Sequence, residues 1–60
     1  MAVTIERDAD LVDALVARAD RLDELADTAE LMGDEHTTQR LRHRAARDRD
    51  EALALLDDRA

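Results

Sequence analysis

Two histidines, sixteen carboxylates and nine arginines are the ionising side chains of this 60-residue chain. Their spacing decides what chemistry is open to them. His36 and His43 are seven residues apart. On a helix that is two turns, about 10 Å along the axis. The pair would share an outer face with Arg47 and Asp50 but could not close on one metal unaided. A spacing of four residues would be the stronger ligand signal. Both histidines are therefore read as solvated and no metal is expected; only a symmetric dimer that joined copies at a subunit interface would change this. Catalysis has as little to work with. The chain has no Cys, Ser or Tyr and a single glycine. It offers neither a nucleophile beside a base nor a glycine-rich phosphate loop. Its carboxylates fall on faces open to water, where little shifts their proton affinity. The expectation is a protein that is not an enzyme and carries no cofactor.

The arginines stand out in an otherwise acidic chain. The net charge is −7, yet Arg40, Arg42, Arg44, Arg47 and Arg49 fall close together around His43. Residues 1–35 hold three Arg and eleven acids, whereas residues 36–60 hold six Arg and five acids. One reading is intramolecular charge matching. Asp20–Glu24 and Asp23–Asp27 are like-charge pairs four apart on one helix, which repel. A second helix presenting Arg40, Arg44 and Arg47 would relieve them. Arg18 would face Asp48 and Arg49, and an Arg18–Asp48 ion pair would fix register more than add stability. Arg42 and Arg49 intrude on the apolar arc of their own helix. They would lay their stems along it or reach acids on a second subunit. The other reading is an anion or partner face made of Arg40, Arg44 and Arg47 with Gln39 and His43, present twice in a dimer. An RNA-binding hairpin dimer would use such a face, but the chain has no aromatic residue to stack on bases. Its net charge also repels duplex phosphates. Charge matching is the preferred reading.

These charges need elements to hold them. There is no proline, and "LMGDEH" is the one break in a chain of Ala, Leu, Asp, Arg and Glu, a helix-forming composition. Gly33 can take the left-handed conformation that closes a helix, and Asp34 can cap the next. The first helix is expected over about 7–32, starting near Thr4 or Asp8, and the second over about 35–58. Joined by so short a turn, they must run antiparallel. Partner positions then sum to about 67: Leu25 faces Leu41, Leu22 faces Ala45 and Leu15 faces Ala52. Leu11, Leu15, Leu22, Leu25, Ala29 and Met32 repeat in a heptad-like rhythm on helix 1, and Ile5, Val12, Val16, Ala19 and Ala26 widen that stripe. On helix 2 the apolar arc is Leu41, Ala45, Ala46, Ala52, Leu53, Leu55 and Leu56. The stretch from Leu22 to Ala45 resembles a tetratricopeptide hairpin through Leu22, Leu25, Ala26, Ala29, Gly33 and Ala45. Thr38 and Arg42 depart from that repeat's small and aromatic positions, and no proline follows. The resemblance implies helix–turn–helix geometry only, since repeat arrays need about three units.

Stripes this wide suit helices with two neighbours each. The large apolar residues are nine Leu, three Val, one Ile and two Met. That is a thin core for a chain without disulfides or aromatic residues, and small scaffolds of this kind commonly complete it by oligomerising. The fold expected is an all-α, two-helix antiparallel hairpin that dimerises into an antiparallel four-helix bundle. Its interface and core would be built from Leu11, Leu15, Leu22, Leu25, Met32, Leu41, Ala45, Ala52, Leu55 and Leu56. The N-terminal stretch lacks a positive region and an apolar run, and no segment approaches the ~20 apolar residues of a membrane span. A complete, small cytoplasmic protein is expected, with no membrane partner. Its function is read as a regulatory or assembly module that binds itself and another, unidentified protein. An alternative is an acidic inhibitor or antitoxin-like protein whose Asp13–Asp20–Asp27 row imitates a phosphate ladder.

Overall fold

The one glycine sits where the chain reverses. In the computed structural model, which describes the backbone of residues 2–59 and the side chains of residues 9–57, two helices run as α1, Ala2–Leu31, and α2, Glu35–Arg59. Gly33 lies between them with φ of 78°. That left-handed geometry turns its neighbours' amides back onto the end of α1. The Asp34 N–H donates to the Ala29 carbonyl at 2.9 Å and the Gly33 N–H to the Glu30 carbonyl at 3.0 Å. This doublet is the Schellman closure, which satisfies carbonyls that would otherwise be orphaned at a helix end.

Asp34 then starts α2. Its Oδ1 accepts from the Thr37 N–H at 3.1 Å, the N-cap bond that satisfies an orphan donor of the new helix. Its carbonyl accepts from the Thr38 N–H at 3.0 Å and from the Thr38 Oγ1 at 2.8 Å. Thr38 can therefore be buried without an unmet hydroxyl. The bonds from Thr37 hold the Asp34 carboxyl below the usual carboxylate range, and His36 and Arg40 add to the effect. Gly33 and Asp34 together thus end one helix and begin the other.

The start of α1 differs from the expectation. The helix begins at Ala2, not near residue 7, and Thr4 and Asp8 lie inside it as ordinary helical positions. Nothing from Ala2 to Asp10 is a helix breaker. A possible cap does not end a helix that local propensity can extend through it.

The two helices pack along a seam of small side chains. Leu15, Ala19, Ala26 and Ala29 of α1 are buried, as are Thr38, Ala45, Asp48 and Ala52 of α2. Val12, Leu22, Leu41 and Leu55 are half-buried on the same lines. On α1 the buried and half-buried seam positions are 12, 15, 19, 22, 26 and 29; on α2 they are 38, 41, 45, 48, 52 and 55. Both alternate steps of three and four, the pattern of a two-helix seam. With antiparallel numbering, a large residue meets a small one in layer after layer: Leu15 with Ala52, Leu22 with Ala45, Ala26 with Leu41. Alanine permits close approach, but it also means that no large side chain among the described residues is completely buried. The result is a rod with Cα extents of 49 × 15 × 10 Å.

The turn gives a direct test. A Cβ at position 33 would meet nothing within 4 Å, so Gly33→Ala carries only a backbone cost. For an L-residue in the left-handed region that cost is about 1–2 kcal/mol, and each kcal/mol lowers the Tm of a domain this size by roughly 4–8 °C. Gly33→Asn should recover part of the loss, because asparagine tolerates this conformation. Thermal melts at one fixed protein concentration read both variants. An unchanged Tm for Gly33→Ala would show that this closure does not hold the hairpin.

Candidate protein interaction surface

The seam divides the surface into two flanks, and their chemistry differs. On one flank the acids of α1 meet arginines of α2. Arg42 Nη2 approaches Asp27 Oδ1 at 3.2 Å and Glu30 Oε1 at 3.3 Å. One repeat further along, Arg49 Nη2 lies 2.9 Å from Asp20 Oδ1 and its Nη1 lies 2.7 Å from Asp23 Oδ2. Each guanidinium bridges two carboxylates that would otherwise repel, and the bonds to Asp23 and Asp20 hold Arg49 firmly protonated. Toward the chain ends this flank turns apolar, where Val12, Val16, Leu53 and Leu56 line a shallow groove beside Arg49.

The sequence assigned this bridging to Arg40, Arg44 and Arg47. The structure gives it to Arg42 and Arg49. The reason is position: these two lie next to the seam residues Leu41 and Asp48, so their stems run across the helix contact. Arg40, Arg44 and Arg47 point further round α2, and within 4 Å no carboxylate among the described residues pairs with any of them. Arg40 lies near Asp34. Arg44 and Arg47 gather with Arg18 and Glu51 around Asp48. His36 and His43 are exposed, and among the described residues no three His, Asp or Glu side chains come together to hold a metal.

Asp48 is the one acid in the seam. Arg18 grips it with two bonds, Nε to Oδ2 at 2.7 Å and Nη2 to Oδ1 at 2.8 Å. This parallel geometry is the strongest form of the arginine–carboxylate contact. The partners are unequally exposed, with 59% of the Arg18 side chain open to solvent but only 11% of Asp48. The Arg18 hydrogen bond outweighs the effect of burial and holds the Asp48 carboxyl below its usual range, assisted by Arg44 and Arg47.

Among the described residues the other flank has no such ladder. Leu11, Ala14, Arg18, Arg21 and Leu25 fall at i, i+3, i+7, i+10 and i+14, one line along α1. With Glu51 of α2 they border an open groove floored by Leu15 and Leu22. Leu11 is 46% exposed and Leu25 is 53% exposed. Met32, beside the turn, and Leu56, on the opposite flank, are also exposed. Of the ten residues expected to form core or dimer interface, Leu15, Ala45 and Ala52 are buried within the hairpin, and Leu22, Leu41 and Leu55 are half-buried. Leu11, Leu25, Met32 and Leu56 are only partly covered by the chain itself. Antiparallel numbering set Leu25 opposite Leu41 and left Leu11 in the pooled core or dimer interface, because an apolar stripe does not say which edge of it faces which neighbour. Among the described residues, no helix is long and apolar enough to cross a membrane. Compared with protein-family models, curated proteins and solved structures, the chain matches none.

The exposure difference within the Arg18–Asp48 pair predicts unequal damage from breaking it. Arg18→Ala leaves a carboxylate stranded in the seam, whereas Asp48→Ala leaves a guanidinium free to hydrate and extends the alanine line. Arg18→Ala should therefore lower the urea midpoint more than Asp48→Ala; equal or reversed losses would show that the seam does not desolvate Asp48. The pH dependence follows from the lowered Asp48 value. Its contribution is complete above the unfolded carboxylate value of about 3.9 and is lost as pH falls through the lower folded value. Wild type and Asp48→Asn should differ at neutral pH, and the gap should begin to close only below about pH 3.9, as pH falls toward the lowered folded value. The same gap at both ends would mean that the charge of Asp48 is irrelevant.

Proposed function

We propose that the chain is a non-enzymatic interaction module. It completes its core by associating as a helical-hairpin homo-oligomer, and its charged outer faces then engage another protein in regulation or assembly. The observation that carries this reading is the apolar surface left by a hairpin that is otherwise correctly closed. The turn is closed and capped and the seam and its ion pairs are in place, yet Leu11 and Leu25 remain open beside a core in which the buried apolar residues, among those described, are five alanines and Leu15.

Area supports the same reading. The hairpin exposes 4772 Å². A compact monomer of 6.7 kDa exposes about 3,900 Å² by the usual scaling with mass. The excess, roughly 900 Å², is close to the ~800 Å² that one partner loses in a standard protein interface. A four-helix bundle of two hairpins is the simplest arrangement that removes it.

The phosphate-mimic reading fares less well. Asp20 and Asp27 of the acidic row are tied to Arg49 and Arg42, so the row does not present an unbroken run of free charge. The arginine face keeps Arg40, Arg44 and Arg47 without bridging acids. It sits beside Asp48 and Glu51, however, which oppose an incoming phosphate.

Sedimentation equilibrium with circular dichroism, from low to high micromolar concentration and in low and high salt, tests the proposal. A helical species of twice the chain mass that dissociates or unfolds on dilution is the expected result. A well-folded monomer with no self-association across that range would overturn it.

A further inference from the structure

Two apolar grooves flank the seam, and only one has the symmetry of a contact that a copy could complete. The groove bordered by Leu11 and Leu25 is centred on Arg18: Leu11 lies seven residues before it and Leu25 seven after. A twofold axis through the level of Arg18 therefore carries Leu11 of one chain onto the level of Leu25 in the other, on both sides of the axis. The same operation acts on the charges. Arg21 and Glu51 both line this groove, and neither has an ion pair within 4 Å among the described residues. In the antiparallel hairpin Glu51 stands at the height of residue 16 on α1, about two residues before the axis, while Arg21 stands three residues after it. At 1.5 Å per residue, the twofold brings Arg21 of one chain to within about 2 Å, along the axis, of the height of Glu51 in the copy, and does so twice. Arg18 of each chain meets its counterpart near the axis with its charge already engaged by its own Asp48.

The groove on the opposite flank lacks this arrangement. Val12, Val16, Leu53 and Leu56 lie together near the chain ends, and the surface beyond them is the arginine–carboxylate ladder. A copy seated there would press like ladders together or leave them exposed.

We propose that the groove between Leu11 and Leu25 is seated on the same groove of a second copy, with α1 packed antiparallel on α1 and Arg21 of each chain paired with Glu51 of the other. This rests on the self-association proposed above and specifies its surface. The occupant is a second copy because apolar and charged groups alike are self-complementary under one twofold axis, as an isologous interface requires.

Charge reversal distinguishes this seating from other dimers and from a contact within one chain. In an Arg21→Glu homodimer both contacts join two acids; in a Glu51→Arg homodimer both join two arginines. When the two variants are mixed, each contact between chains again joins opposite charges. An intrachain pair would stay mismatched in both chains. Each single variant should dimerise about tenfold more weakly than wild type, since exposed pairs contribute modestly and two are reversed at once. An equimolar mixture should recover dimerisation close to wild type, with the hetero-species dominant in native mass spectrometry. Leu25→Asp, on the same stripe, should abolish the dimer while circular dichroism at high concentration reports whether the helices persist. A wild-type dimer whose mixed variants show no preference for each other would overturn this seating but leave self-association standing. A monomeric wild type would overturn both.

Discussion

A seam lined with alanine lets two helices approach closely, and the same smoothness lets them slide. Ala19, Ala26, Ala45 and Ala52 supply contact without knobs that lock into particular holes. A heptad shift of one helix past the other would still match alanines to leucines. The Arg18–Asp48 pair removes that freedom. Its two bonds are satisfied in one alignment only, and any slip leaves a buried carboxylate without a partner. The pair is expected to favour the right alignment chiefly by making the wrong ones costly, the best-attested role of such groups in helical cores. Arg42 and Arg49 do not share this role: the acid pairs they span, Asp27 with Glu30 and Asp20 with Asp23, repeat every seven residues, so a heptad shift would only hand one arginine the other's pair.

From that alignment the inequality of the two flanks follows. On one side the seam neighbours of α1 include Asp23 and Glu30, and those of α2 include Arg42 and Arg49. They meet along the middle of the hairpin, which confines the apolar groove of that flank to the chain ends. On the other side the corresponding residues of α1 are Leu11, Arg18 and Leu25, while α2 offers Thr37, Arg44 and Glu51. Leucine opposite threonine or glutamate has no apolar surface to cover it. Among the described residues no buried side-chain polar atom lacks a partner, while Leu11 and Leu25 stay open to solvent.

The sequence was most legible where one residue type has one structural use. Gly33 and Asp34 fixed the turn, because a lone glycine before an acid can close one helix and cap the next. Once the turn was set, antiparallel numbering placed Arg18 by Asp48. The arginine ladder was harder to read. Arg40, Arg44 and Arg47 looked like the bridging set because they recur on one face, yet bridging depends on nearness to the seam, where Arg42 and Arg49 stand. Leu11 and Leu25 were legible as apolar and as heptad-spaced, but not as outside the hairpin contact. A stripe about twice the width of one seam extends beyond the hairpin contact, and periodicity alone does not divide it. The dividing information came from the alanines, whose small size marks the line of closest approach.

The placement of the apolar grooves also bears on how large an assembly could become. A contact of one groove with itself uses up the same surface on both chains and closes at two. A contact of one groove with the other would leave a free groove at each end and would propagate. Two features of the chain oppose propagation. The second groove is short and ends against the ladder of Arg49 with Asp20 and Asp23, so a long α1 laid over it would bury charge without matching it. Each added copy also brings a net charge of −7, and the repulsion accumulates with every subunit of a growing filament, whereas a closed dimer meets it once. The lysine-free acidic surface, which says little about any binding site, has this physical consequence: it limits association to contacts that are both apolar and charge-matched, and on this hairpin the flank between Leu11 and Leu25 is where both conditions meet.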